Sequence, residues 1–181
     1  MKKGKADIKD PTLLVDINEA TVAVKENRFA DALKVLEINL SRYPDHIDSL
    51  YLAGVSARYL KKFDDSKKYI ETLLTLAPDM GRAYQELGHL NKSCGNDDLA
   101  IAHYRQACEL NPALIGSWKS LHELFNNKNN AQASTQALEQ LNKLKNLPNI
   151  LLYVDQIMNE DRLGVAEIKC REFLKKNPTH T

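Results

Sequence analysis

The sequence predicts an all-α array of stacked helix–turn–helix hairpins. Three observations carry that prediction. Pro44, Pro78 and Pro112 stand 34 residues apart. Small side chains hold one register at Ala20, Gly54 and Gly88, and another at Ala32, Ser66 and Ala100. Between them, apolar residues recur at helical spacing, with no alternation of the kind a half-buried strand requires. One hairpin cannot bury both of its faces, so a fixed period of this length implies neighbours stacked on one another.

The unit is clearest from Gly81 to Leu114. Tyr84, Leu87 and Gly88 form the stripe of its first helix, and Gly95 marks the turn. Ala100, Tyr104, Ala107 and Cys108 form the stripe of its second, and Pro112 closes it. Small residues at Gly88 and Ala100 are expected to let the two backbones approach. The preceding hairpin, 47–80, uses Leu50, Ala53, Gly54 and Ala57, then Phe63, Ile70, Leu73 and Leu74. The first hairpin, 13–46, uses Ile17, Ala20 and Val24, then Ala32, Leu33, Leu36 and Leu40, with Phe29 packing into the turn. Asp10-Pro11 or Thr12 opens its first helix, since proline is tolerated where an N–H has no intrahelical partner. Residues 1–12 are expected to be a flexible lead-in. Asp45 and Asp79 are expected to favour the helix N-termini that follow them.

The fourth hairpin, 115–148, starts with Trp118, Leu121 and Phe125 and then meets Asn126-Asn127-Lys128-Asn129-Asn130. This polar run is expected to end the helix and lengthen the turn by roughly three residues. The helix then resumes at Ala137, Leu138, Leu141 and Leu144. A degenerate fifth hairpin, 149–181, follows from Leu151, Val154 and Ile157 and from Ala166, Cys170 and Phe173. The sequence stops three residues after Pro178 with no extra polar helix. The expectation is a fragment of a longer protein. Pairing of the last apolar face with another copy, as a homodimer through the uncapped end, is the alternative.

The spaced residues Tyr84-x2-Leu87-Gly88-x2-Asn91, Ala100-x3-Tyr104 and Pro112 resemble the tetratricopeptide repeat, and only Asn91 departs outright from its pattern. The resemblance covers about residues 13–178. It implies a right-handed superhelical solenoid of about five hairpins, whose first helices line a concave groove. Carried over by register, the peptide-binding face is Tyr51, Val55, Arg58 and Tyr59, then Arg82, Gln85, His89 and Lys92, then Lys119 and Glu123, with Ile17, Asn18, Thr21, Glu86 and Ser120 beside them. Aromatic rings and guanidinium groups dominate peptide interfaces, so an acidic or tyrosine-containing protein or peptide ligand is expected. Relatives that grip chaperone tails need a Lys/Arg–Asn–Asn–Lys–Arg clamp. Ile17, Thr21, Leu52, Arg82 and Glu86 do not supply it in one frame, nor do Tyr51, Val55 and Glu86 in the other. More loosely, residues 33–79 resemble repeat regions that precede bacterial sulfotransferase domains. Such a region would itself be non-catalytic.

Composition narrows the remaining classes. Lys+Arg number 25 against Asp+Glu 24, a formal charge of +1, which gives no general attraction to nucleic acid or membranes. No apolar run reaches the roughly 18 residues of a membrane span, and the N-terminus lacks the apolar core of a secretory signal. Cys94, Cys108 and Cys170 are odd in number and unclustered, which implies a reducing, cytoplasmic setting. Cys108 is expected in the core and Cys94 near the surface. The five histidines have no partners at metal-ligand spacing. No nucleophile elbow or phosphate-binding loop occurs. The chain is therefore expected to be a binding protein without catalytic residues, metal or cofactor.

Overall fold

The structure is a computed structural model that describes residues 11–146. The fifth hairpin, and all of the lead-in except Pro11 and Thr12, lie outside that range. Eight helices and no strands form the described chain. They are α1 (Pro11–Lys25), α2 (Phe29–Arg42), α3 (Ile47–Tyr59), α4 (Phe63–Leu76), α5 (Gly81–Ser93), α6 (Asp97–Leu110), α7 (Ile115–Asn127) and α8 (Ala131–Lys145). The helices pair as four antiparallel hairpins, and from α4 to α8 each helix begins 34 residues after its counterpart one hairpin earlier. The chain divides into two compact units, one carrying α1–α4 and the other α5–α8.

Each hairpin turn is three residues long, and its middle residue adopts the left-handed conformation. These residues are Asn27 (φ 60°), Lys61 (φ 60°), Gly95 (φ 76°) and Asn129 (φ 54°). The fourth turn is therefore not lengthened, contrary to the expectation from the asparagine run. Asn126 and Asn127 complete the exposed end of α7, and Asn130 caps α8 by accepting a hydrogen bond from the Ala133 amide at 3.1 Å. Asparagine tolerates the left-handed region through local hydrogen bonding, whereas lysine does not. Lys61→Gly should accordingly raise stability by roughly 0.5–1 kcal/mol, read as a higher urea midpoint. Gly95→Ala should lower it by a similar amount.

Side-chain chemistry fixes the helix starts. Asp64 and Asp65, and likewise Asp97 and Asp98, stand in the first turns of α4 and α6, where unpartnered amides favour negative charge. At α3 the cap is His46 and not Asp45: its Nδ1 accepts from the Ser49 amide at 3.2 Å.

In the first unit Ala20, Ala23, Ala32, Leu33, Leu36, Ala53 and Ala57 form one packed cluster. In the second, Ala100, Ile101, Tyr104, Cys108, Leu121, Leu124, Phe125 and Ala137 form another. The close approach at Gly88 is made by a ring. A methyl group there would stand 2.6 Å from Tyr104 Cδ1 and Cε1, so the glycine makes room for Tyr104 more directly than for Ala100. The same register holds Gly54 against Ile70, while Ser66 Oγ donates to the Gly54 carbonyl at 2.8 Å. In the fourth hairpin the position belongs to His122, whose Nδ1 lies 2.9 Å from Ser134 Oγ. A polar pair thus replaces the tight apolar crossing there.

Candidate functional site

The candidate surface is the face made by the first helix of each hairpin, built separately in each unit. In the first unit it falls on α3. Arg58 lies over the Tyr59 ring, 4.4 Å from guanidinium carbon to ring centroid. Phe29, at the start of α2, stacks on the same ring at 4.1 Å and 4°. Tyr59 is exposed and Tyr51 half-buried. The face of an aromatic ring restrains a guanidinium stacked on it while leaving the N–H groups in plane. Phe29 was not among the residues expected here. Its turn position gave it a packing role, and only the stack shows that it also orders Tyr59.

Val55 does not belong to this surface. It is 8% exposed, within the consecutive buried run Ala53–Ala57. Such a run arises because α1, α2 and α4 all pack against α3. Glu86 and Ser120, at 7% each, are buried as well.

In the second unit α5 and α7 bring Gln85, His89, Lys92 and Glu123 together. Lys92 Nζ meets Glu123 Oε2 at 2.8 Å. This hydrogen bond, with the nearby Lys92 charge and that of Lys119, holds the Glu123 carboxyl below its ordinary range. Gln85 lies over Gly116, where a Cβ would stand 2.6 Å from the amide nitrogen. His89 Nδ1 lies 2.6 Å from the Tyr104 hydroxyl, tying a surface residue to the buried ring. Lys119 is exposed and Arg82 half-buried. The surface is thus mixed in charge, with Lys92 already engaged by Glu123, and is less uniformly cationic than the sequence suggests.

A second feature had no counterpart in the sequence reading. A cleft of about 360 Å³ opens between α6 and α8 over α7, lined by Arg105, Cys108, Trp118, Phe125, Ala133 and Ala137, among others. Burial pushes the Cys108 thiol up to about 12, so it contributes apolar surface and no nucleophile. Cys94 is exposed.

Among the described residues no group of three or more His, Cys, Asp or Glu could hold a metal ion. No described helix is long and apolar enough to cross a membrane.

The tetratricopeptide repeat family model matches residues 47–80 and 81–114, the segments of α3–α4 and α5–α6. These two hairpins are tetratricopeptide repeats. Solved structures extend the likeness in fold. MamA (residues 41 to the end) from Desulfovibrio magneticus RS-1 matches with a TM-score of 0.65 at 18% identity, covering 74% of this chain and 75% of that one. Another MamA structure matches with a TM-score of 0.63 at 16% identity, covering 92% of each chain. A chain in a structure of Naa15/Naa10 bound to HypK-THB matches with a TM-score of 0.64 at 18% identity, covering 94% of this chain but 26% of that one. A search of curated proteins finds no match.

Proposed function

We propose that the chain is a protein-binding scaffold whose first-helix faces take a partner segment that is acidic or contains tyrosine. The observation that carries this reading is the stack of Phe29, Tyr59 and Arg58 on the first unit: a ring restrained from one side and a guanidinium laid across it. The paired face of α5 and α7, with Gln85, His89, Lys119 and the Lys92–Glu123 pair, offers a second polar surface of the same kind. A chain of similar fold occurs in a structure of Naa15/Naa10 bound to HypK-THB, a likeness that suits a binding role. A cytoplasmic setting accords with the exposed, unpaired Cys94. The alternative of a repeat region attached to a larger enzyme such as a sulfotransferase rests on sequence resemblance alone.

The test uses fluorescence anisotropy with labelled acidic peptides that contain one tyrosine. Arg58→Glu and Arg82→Glu together should weaken binding at least about tenfold, with unchanged helical circular dichroism. Binding that survives both reversals in the folded protein would remove the first-helix faces from consideration.

A further inference from the structure

The 34-residue period allows each hairpin to be compared with the others, position by position. At position 69 of the second hairpin stands Tyr69, on α4. Its ring packs against the core cluster of the first unit, and its hydroxyl lies 3.5 Å from Glu37 of α2. The side chain thus closes the space between two second helices. One period later stands His103, half-buried, with its ring 6.4 Å from that of Tyr84 on α5. One period later again the residue is Ala137. Its hairpin carries Trp118 where the third carries Tyr84, so the largest ring of the series faces the smallest cover. The cleft between α6 and α8 is the result, and Ala133, one turn before Ala137, widens it.

The lining is specific. Trp118 is held in place by its indole N–H, which donates to the Pro112 carbonyl at 2.8 Å. Leu121 and Phe125 continue the apolar floor. The position that holds Glu37 in the first hairpin holds Arg105 in the third, 68 residues on. Arg105 lies over the Phe125 ring at 5.1 Å, at the cleft wall. Glu109, one turn further along α6, and Gln136, on α8, complete the rim. Where the first unit pairs a built-in tyrosine with a carboxylate, this cleft offers room for a ring beside a cation. At about 360 Å³ it stands at the small end of ligand sites, suited to one large side chain and not to a bulky cofactor.

We propose that the α6–α8 cleft over Trp118 is a second binding site, which takes an aromatic side chain of a partner peptide with an acidic residue beside it. The ring fills the place that Tyr69 fills in the first unit, and the carboxylate pairs with Arg105. Glu109 disfavours a second acidic group at its end and so sets the ligand's direction. The site is independent of the first-helix faces.

Trp118 is the only tryptophan in the chain, so its emission reports the cleft directly. The probes are the capped dipeptides Ac-Asp-Phe-NH2 and Ac-Phe-Asp-NH2, whose rings are silent under tryptophan excitation. The controls are Ac-Asp-Ala-NH2 and Ac-Lys-Phe-NH2. At least one acidic phenylalanine probe should give a saturable change, with both controls about tenfold weaker or more. Ala137→Tyr, which rebuilds the cover, should abolish the response. Arg105→Glu should weaken the acidic probe about tenfold and favour the lysine control. Arg58→Glu with Arg82→Glu should leave the signal unchanged. The proposal is overturned by no saturable response to either acidic phenylalanine probe, by an equal response to either control, or by a response that survives Ala137→Tyr in a folded protein. If Ala137→Tyr does not fold, the exposed Arg105→Glu variant decides, and unchanged affinity there overturns the proposal.

Discussion

Tyr104→Ala should destabilise the second unit by about 3–5 kcal/mol, the range for removing a large buried ring. Tyr104 has no exposed surface and stands at the centre of the cluster that joins α6 to α7 and α8. Its loss would leave a void beside Gly88, and glycine has no side chain to collapse into it. The hydroxyl adds a smaller share through His89 Nδ1 at 2.6 Å, so Tyr104→Phe should cost about 1 kcal/mol. Urea unfolding followed by circular dichroism separates the two. Hydrogen exchange in α5 and α6 should accelerate steeply in the alanine variant and only slightly in the phenylalanine variant. Equal, small losses would mean that the ring is dispensable to the packing.

Gly88→Val should cost about 2–3 kcal/mol, although a side chain at a helical glycine normally raises helix propensity. The added Cβ would stand 2.6 Å from two ring carbons of Tyr104, whose hydroxyl is already held by His89. The ring cannot retreat without breaking that bond or entering its neighbours. Gly88→Ala should show the same sign with a smaller loss. The first hairpin suggests the rescue: the same two positions hold Ala20 and Leu36, both fully buried. Gly88→Ala combined with Tyr104→Leu should therefore lose less than the sum of the single changes, by roughly 1–2 kcal/mol in a double-mutant cycle. Strict additivity would show that the two side chains do not compete for space.

Most of the fold could be inferred from residues whose chemistry permits few alternatives. Pro44, Pro78 and Pro112 cannot continue a helix, and their spacing gave the period. The small residues of the 20/54/88 register located the helix crossings, although they did not disclose which neighbour filled the room. The asparagine run was misread because polarity alone does not separate a loop from the exposed last turn of a helix. Only Asn129 needs the left-handed backbone, while Asn126 and Asn127 remain helical. Val55 was misplaced because α3 is packed by three helices, so a position that faces outward on α5 or α7 is enclosed there. The Lys92–Glu123 pair joins residues 31 apart, an offset set by how neighbouring first helices lean together. The cleft over Trp118 was not legible in the sequence because it follows from the modest size of Ala137, and missing bulk leaves no motif.

The two contacts between α5 and α7, Gln85 over Gly116 and Lys92 with Glu123, repeat the same offset two helical turns apart. The rows of these helices therefore keep step along the shared face. Packed helices lie about 8–10 Å apart, and an extended strand advances about 3.3 Å per residue. A strand laid across both helices would be sampled at every third residue. Recognition on this face would then depend on a sparse spacing code in the ligand, indifferent to the two residues between successive points of contact.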